Sequence, residues 1–291
     1  MYRAQHLAAA AITVLATVAA GCGASGSPQN QNGPSVGESG PPIKLEVDAP
    51  FYLPGEQFQF EISFRGFVGA RAVMAVGEPG TADERPVVIL RSRIHSTGVA
   101  AVFKRVRDDV TSWIALDGGE PVFHRADVQF GSREAAIETR FGPGPFHIDV
   151  SRLGRSPRTY TQSIPRGHRA HDVHSLLGTL RAWTVEPGTA AYAYVLSGRR
   201  IWHLTTTHMG HESIDAGLGS FEAVRIDGVA WRLDSDLQVD RDREPRLFRL
   251  WLADDGSKIP LRVEGITEHG TVRVDLVDYH RPEARLSATP R

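Results

Sequence analysis

Twelve histidines give this chain its main supply of side chains that could hold a metal or move a proton. Three of them, His168, His171 and His174, follow an H-x2-H-x2-H pattern. On a helix each i, i+3 step falls about 60° short of a full turn, so the three fan over about 120°. Neighbouring pairs could then share zinc, copper or nickel, which imidazole suits. His168, however, precedes the expected helix cap, and His171 and His174 lie beside the apolar stripe rather than opposite it. The expectation is therefore partly exposed, hydrogen-bonded histidines at a helix start, with no metal and no cofactor. A second group, His208-Met209-Gly210-His211-Glu212, is not the H-E-x-x-H arrangement of zinc proteases. It falls at an expected strand end, where i and i+3 point to opposite faces, and reads as a turn.

Other chemistry is scarcer still. There is no G-x-S-x-G elbow, no P-loop and no G-x-G-x-x-G; Gly217-Leu218-Gly219 lacks the third glycine and the βαβ setting. The single cysteine, Cys22, lies outside the folded part, which excludes thiol catalysis there. The carboxylate pairs Asp108-Asp109 and Asp254-Asp255 could serve a glycosidase-like reaction at separations of about 5–10 Å. Adjacent acids at turns are read instead as solvated caps. A formal charge of −1 gives no electrostatic case for nucleic acid. All but three of the 33 basic residues are arginine, a bias that a GC-rich genome would produce.

The element that must position these groups is the stretch 171–183. Val173, Leu176, Leu177, Leu180 and Trp183 recur at i, i+3, i+4, i+7 and i+10, one stripe of a helix. Asp172 can cap its start, and Pro187-Gly188 prevents continuation. Nearly everything else alternates with period two. The clearest strand is 57–65, with Phe58, Phe60, Ile62 and Phe64 on one face and polar residues on the other. Further strands are expected at 43–47, 70–76, 87–95, 109–116, 121–130, 133–141, 146–152, 191–196, 200–208, 221–233, 247–252, 259–267 and 272–279, with a short helix at 99–106. Even spacing and turns such as Asp117-Gly118-Gly119 mark an all-β chain. The expected fold is mainly β: one large curved antiparallel sheet, half-barrel-like, with the main helix packed on its concave face.

The chain also carries an address. Arg3 and the amino end precede an apolar run, 7–18, too short to span a bilayer. Ala19-Ala20-Gly21-Cys22 resembles the lipobox of bacterial lipoproteins, which makes Cys22 the lipid-attachment residue. Gly23 in place of aspartate points to the outer membrane, facing the periplasm. Residues 1–22 are thus read as a signal peptide and 23–42, rich in Gly, Ser, Pro, Asn and Gln, as a tether reaching roughly 25 Å. Residues 43–281 are read as one β-rich domain and 282–291 as a loose tail.

Three stretches together resemble a bacterial family known as domain of unknown function 3108. They are Phe51 to Val76, with Pro54-Gly55-Glu56 and Gly66-Phe67-Val68-Gly69-Ala70; Asp172 to Leu177 with Leu180-Arg181-Ala182; and Leu250 to Asp255 with Ile259-Pro260-Leu261-Arg262. Gly210-His211-Glu212-Ser213-Ile214 and Gly219-Ser220-Phe221-Glu222-Ala223 fit as well. The resemblance implies an exported or lipid-anchored β-rich envelope protein and transfers no activity. Asp172, Arg181 and Glu212 fall in these stretches. Each could lock helix to sheet through a charge-assisted bond, or orient a ligand head group, which makes them the candidate ligand-binding residues. The reading is a non-enzymatic envelope lipoprotein that binds an apolar molecule or an envelope protein. The alternative is a metal- or carboxylate-dependent hydrolase acting on cell-wall polymer or lipid.

Overall fold

The computed structural model describes residues 41–103, 105–267 and 270–281. The signal peptide, Cys22, the tether up to residue 40 and the tail from 282 lie outside the described residues. The described elements in chain order are β1 (Ile43–Lys44), β2 (Gln57–Phe64), β3 (Phe67–Ala82), β4 (Arg85–Ser96), α1 (Gly98–Phe103), β5 (Val106–Ala115), β6 (Pro121–Phe130), β7 (Arg133–Arg140), β8 (Phe146–Arg152), β9 (Arg155–Gln162), β10 (Ala170–His171), α2 (Val173–Ala182), β11 (Ala190–Ser197), β12 (Arg200–Ala216), β13 (Gly219–Arg232), β14 (Arg246–Ala253), β15 (Pro260–Thr267) and β16 (Gly270–His280).

All strands belong to one open sheet, and the protein is mainly β. Two meanders, β2 to β9 and β11 to β16, are joined where β16 pairs antiparallel with β2. β1 and β10 add short parallel pairings to β11. Phe58, Phe60 and Ile62 sit opposite Met74, Ala72 and Ala70 across the β2–β3 ladder, so one face collects the core. The same phase carries Leu276 and Val274 on β16, Leu250 and Phe248 on β14, and Leu204 and Trp202 on β12.

The two ends of this ribbon meet through side chains. Val195 and Trp202 face each other across β11 and β12 and belong to the main core. Their neighbours Leu196 and Ile201, of opposite phase, instead pack with Phe146, Ile148 and Val150 of β8. Strands pack on both sides of this hairpin end, so the last strands of the ribbon overlap the first from outside. The Arg199 guanidinium stacks on the Tyr160 ring of β9 at 4.3 Å, and Gln162 Nε2 donates to the Arg199 carbonyl at 3.2 Å. Among the described residues no ladder joins β9 to β11.

Helix α2 forms where the apolar stripe predicts it and stops at Trp183. Its stripe, Val173, Leu176, Leu177, Leu180 and Trp183, joins the main core, and each side chain buried there contributes about 1.5–3 kcal/mol. The polar side is buried too: every residue from Val173 to Arg181 is sequestered. Tyr52 explains part of this. Its ring lies against Gly178, where an added Cβ would fall 2.2 Å from Cε2, so only glycine permits this approach. Phe51 N–H donates to the Gly178 carbonyl at 3.0 Å. Helix α2 also contacts both β5 and β11.

Several expected boundaries move. The expected turn at 208–212 is a β-bulge inside unbroken β12, with Gly210 at φ +104° and the register shifting between His208 and Gly210. The strand thus runs on to Ala216 because Gly210 absorbs an extra residue rather than reversing the chain. β9 was not expected: Pro157 and mostly exposed side chains on both faces hide its periodicity.

Candidate functional site

The most concentrated polar chemistry lies at the start of α2. Asp172 is the N-cap: its Oδ1 accepts from Ser175 N–H at 2.8 Å, and Ser175 Oγ accepts from Asp172 N–H at 2.9 Å. This reciprocal capping box satisfies two orphan donors of the helix end. The other carboxylate oxygen, Oδ2, accepts from Ser112 Oγ at 2.5 Å and from His124 Nδ1 at 2.9 Å. Ser112 has one proton, which that bond uses. Its oxygen must then accept from His174 Nδ1 at 2.8 Å, and His174 Nε2, left as acceptor, takes the Ser92 hydroxyl at 2.9 Å. The hydrogen-bond count therefore assigns His174 as the neutral Nδ1–H tautomer. Burial pushes the His174 pKa down to about 4, against the opposite pull of Asp172, which keeps it neutral at pH 7. Burial alone would raise Asp172, but the bond to His124, the nearby histidines and the Ser112 hydroxyl overcome it and hold its carboxyl far below the usual range.

Strand phase explains the convergence. Ser92, Ser112 and His124 occupy core-facing positions of β4, β5 and β6, where Ser112 pairs directly with His124. A serine, a histidine and an aspartate are thus within hydrogen-bond distance, but not in hydrolase order. There the histidine bridges nucleophile and acid through its two ring nitrogens; here His174 reaches only Ser112, His124 meets Ser112 and Asp172 through the single nitrogen Nδ1 at 3.2 and 2.9 Å, and Ser112 already donates to the carboxylate. Ser112, Asp172 and His174 are at most 1% exposed, so no substrate carbonyl can approach. The arrangement can fix a tautomer and clamp the helix end.

The other end of α2 holds an ion pair. Arg181 Nη1 and Nη2 fork onto Glu56 Oε2 and Oε1 at 3.0 and 2.8 Å, with both side chains fully buried. Arg181 Nε donates to the Lys258 carbonyl and Nη2 also to the Ser257 carbonyl. Glu56 further accepts from Tyr279 Oη at 2.9 Å and from Leu53 N–H at 3.1 Å. Burial, then the Glu56 charge, push the Tyr279 phenol up to about 12. The Phe51, Tyr52 and Phe58 rings lie 4.9–5.8 Å from the guanidinium carbon.

The three candidate ligand-binding residues are not brought together. Asp172 and Arg181 sit at opposite ends of α2. Glu212 lies on the other face of the sheet, where Trp251 Nε1 donates to it at 2.5 Å and Arg225 approaches at 3.6 Å. The histidine triplet is also dispersed. The His168 ring bonds Tyr192 Oη at 3.1 Å, while His171 is buried with Nδ1 unpartnered among the described residues and is pushed down to about 4 by burial. The expected partial exposure of His171 and His174 is corrected: both are sealed in because the polar side of the helix start also faces a strand layer. Among the described residues no three His, Cys, Asp or Glu side chains are grouped to hold a metal ion.

Sequence reasoning missed Ser92, Ser112, His124 and Glu56; the available signal was a polar residue in the core phase of an alternating strand. It also misplaced Asp108, expected at a solvated turn. Asp108 occupies a core-facing position near the start of β5, is 1% exposed, and both carboxylate oxygens lack hydrogen-bond partners among the described residues. Burial, and to a lesser degree neighbouring Asp109, push it up to about 8.

A long open sheet that rolls over itself, with polar locks at both ends of a buried helix, makes this a mainly β protein. The family model for the protein of unknown function DUF3108 matches residues 59–277, and the chain belongs to that family. No curated protein matches it. Among solved structures it is similar to a β-barrel-like protein of the domain of unknown function DUF1849 from Brucella abortus, at 13% identity and TM-score 0.49 over 81% of this chain and 98% of that one. It is also similar to a protein assigned as exported, with a YmcC-like fold, from Bacteroides fragilis, at 9% identity and TM-score 0.37 over 80% and 100% of the two chains. A protein assigned as a lipoprotein from Parabacteroides distasonis matches at 9% identity and TM-score 0.36 over the same shares. Among the described residues no helix is long and apolar enough to cross a membrane.

Proposed function

We propose that this protein is a non-enzymatic lipoprotein of the bacterial envelope whose curled sheet is filled by its own helix, and which acts by docking an envelope protein. The observation that carries this reading is the burial of every residue from Val173 to Arg181. An apolar cargo in the core would need the volume that α2 occupies. The concave seat of the helix is supported by its contacts with β5 and β11, nine steps apart in the strand order. A flat sheet would separate these strands by about 43 Å, whereas a helix is only about 10–12 Å across. Asp172 and Arg181 are assigned to holding the helix rather than a ligand head group. Ser112, His174 and Asp172 supply the residue types of a hydrolase, but their burial favours the structural role.

Acylation of Cys22 and residence in the outer membrane, facing the periplasm, belong to the same proposal; the lipobox-like Ala19-Ala20-Gly21-Cys22 and Gly23 support them. Native mass spectrometry of the full protein purified from membranes tests it. The expected result is a diacylglyceryl group on Cys22 and no stoichiometric free lipid. An unmodified Cys22 would overturn the anchor, and one equivalent of co-purifying lipid would restore the carrier.

A further inference from the structure

The overlap of the sheet ends leaves a gap that the helix does not fill. A cavity of about 240 Å³ lies at this seam, walled by Thr161, Ser163, Arg200 and Ser235 on its polar side and by Ile201 and Leu233 on its apolar side. It is smaller than the roughly 300–1,000 Å³ of drug-sized sites and offers space for about eight waters. Three hydroxyls, the Gln162 amide, one guanidinium and the Asp234 carboxylate, set against an aliphatic wall, suit a small ligand that carries both an anionic group and hydroxyls.

Arginines crowd this end of the seam. The guanidiniums of Arg232, Arg199 and Arg243 bear on Arg200, with Asp240 the strongest opposing charge on it. Asp240 is already engaged at 3.4 Å by Arg232, whose buried Nε makes no hydrogen bond among the described residues. Asp234, also in the wall, has its Oδ1 occupied by the N–H groups of Asp236 and Gln238 at 2.8 and 3.0 Å. Among the described residues Arg200 has no carboxylate within salt-bridge distance. Partial desolvation of its guanidinium, then the Arg232 and Arg199 charges, hold it below the ordinary arginine value. An incoming anion would relieve this repulsion and give Arg200 a forked partner.

We propose that the seam cavity binds a phosphate-type oxyanion, with Arg200 as its charge partner and the Thr161, Ser163 and Ser235 hydroxyls holding a short polyol attached to it. The ligand spans the only part of the roll that no ladder closes among the described residues, so it fastens β9 against the β12–β13 end. The same chemistry occurs in a free phosphorylated metabolite and in a phospholipid head group. The site does not depend on acylation of Cys22 or on a protein partner.

Calorimetric titration of the full chain with glycerol 3-phosphate, at constant ionic strength, tests this. Saturable binding in the millimolar range or tighter is expected, weakened roughly tenfold or more in Arg200→Gln. Arg91→Gln, at an exposed position on β4, should bind as wild type. Displacement of the soluble probe by phosphatidylglycerol vesicles, in wild type but not in Arg200→Gln, identifies a lipid head group as the source; no displacement identifies a free metabolite. Absence of saturable heat up to about 20 mM, or an Arg200→Gln variant that binds as wild type, overturns the proposal. Arg200 is exposed, so loss of folding does not confound the comparison.

Discussion

The two ends of α2 are buried to the same degree and fastened by opposite means. At the start, one carboxylate accepts directional bonds from Ser112, His124 and the Ser175 N–H, with neutral His174 behind Ser112, and each bond fixes where a proton sits. At the end, a full positive charge faces a full negative one, with carbonyls and a phenol taking up the remaining valences. The first device sets orientation through directional bonds that fail one at a time. The second is either whole or costly, because removing one partner strands a charge in the core.

The sharpest way to break that contrast is Arg181→Met. It leaves Glu56 charged and buried, and should lower unfolding free energy by about 3–5 kcal/mol in urea titration. Adding Glu56→Leu should recover part of the loss, since no unpaired charge remains; a double variant no better than the single would refute the ion-pair account. A smaller effect is expected at the other end. Ser112→Ala deprives His174 Nδ1 of its acceptor and Asp172 of a donor, a cost of about 1–3 kcal/mol. This end also carries the acid sensitivity. His171 and His174 titrate at about 4 in the folded protein against 6.5 unfolded. The unfolded chain therefore takes up protons at these rings first, so their contribution to stability is complete above pH 6.5 and declines as pH falls towards 4. A melting temperature unchanged over that interval would contradict the burial of both rings. Opposite in sign is Asp108→Asn. With a folded value of about 8 against 3.8 unfolded, Asp108 draws on stability increasingly as pH rises from 4 to 8. The variant should be more stable than the wild type at pH 8, and the gain should vanish near pH 4. An equal effect at both pH values would place Asp108 in solvent.

These contrasts also explain what could be read from the chain alone. The helix was legible because its stripe repeats over three turns, and the strands because one of their faces is wet. The family resemblance was legible from the order of short motifs. What escaped was any feature requiring a second layer. Nothing local distinguishes a helix with one buried face from one buried all round, so His174 is read as partly exposed and the burial of Ser175 and Thr179 has no signature in the chain. Ser112 and His124 break the apolar phase of β5 and β6, but their purpose depends on Asp172, 60 and 48 residues away. Asp108 was misjudged because it stands next to Asp109, whose side chain does reach the surface and pairs with Arg93 and Arg107.

The join between β16 and β2 sets the timing of assembly. Tyr279 and Glu56 are separated by 223 positions, so the ribbon's central ladder has to await the final strand of the polypeptide. Until then β2 offers Phe58, Phe60 and Ile62 beside unpaired backbone, a template for strangers as much as for its mate. The open edge of β2 closes only when the last strand arrives, so the interval before that is when this chain is most exposed to wrong pairing.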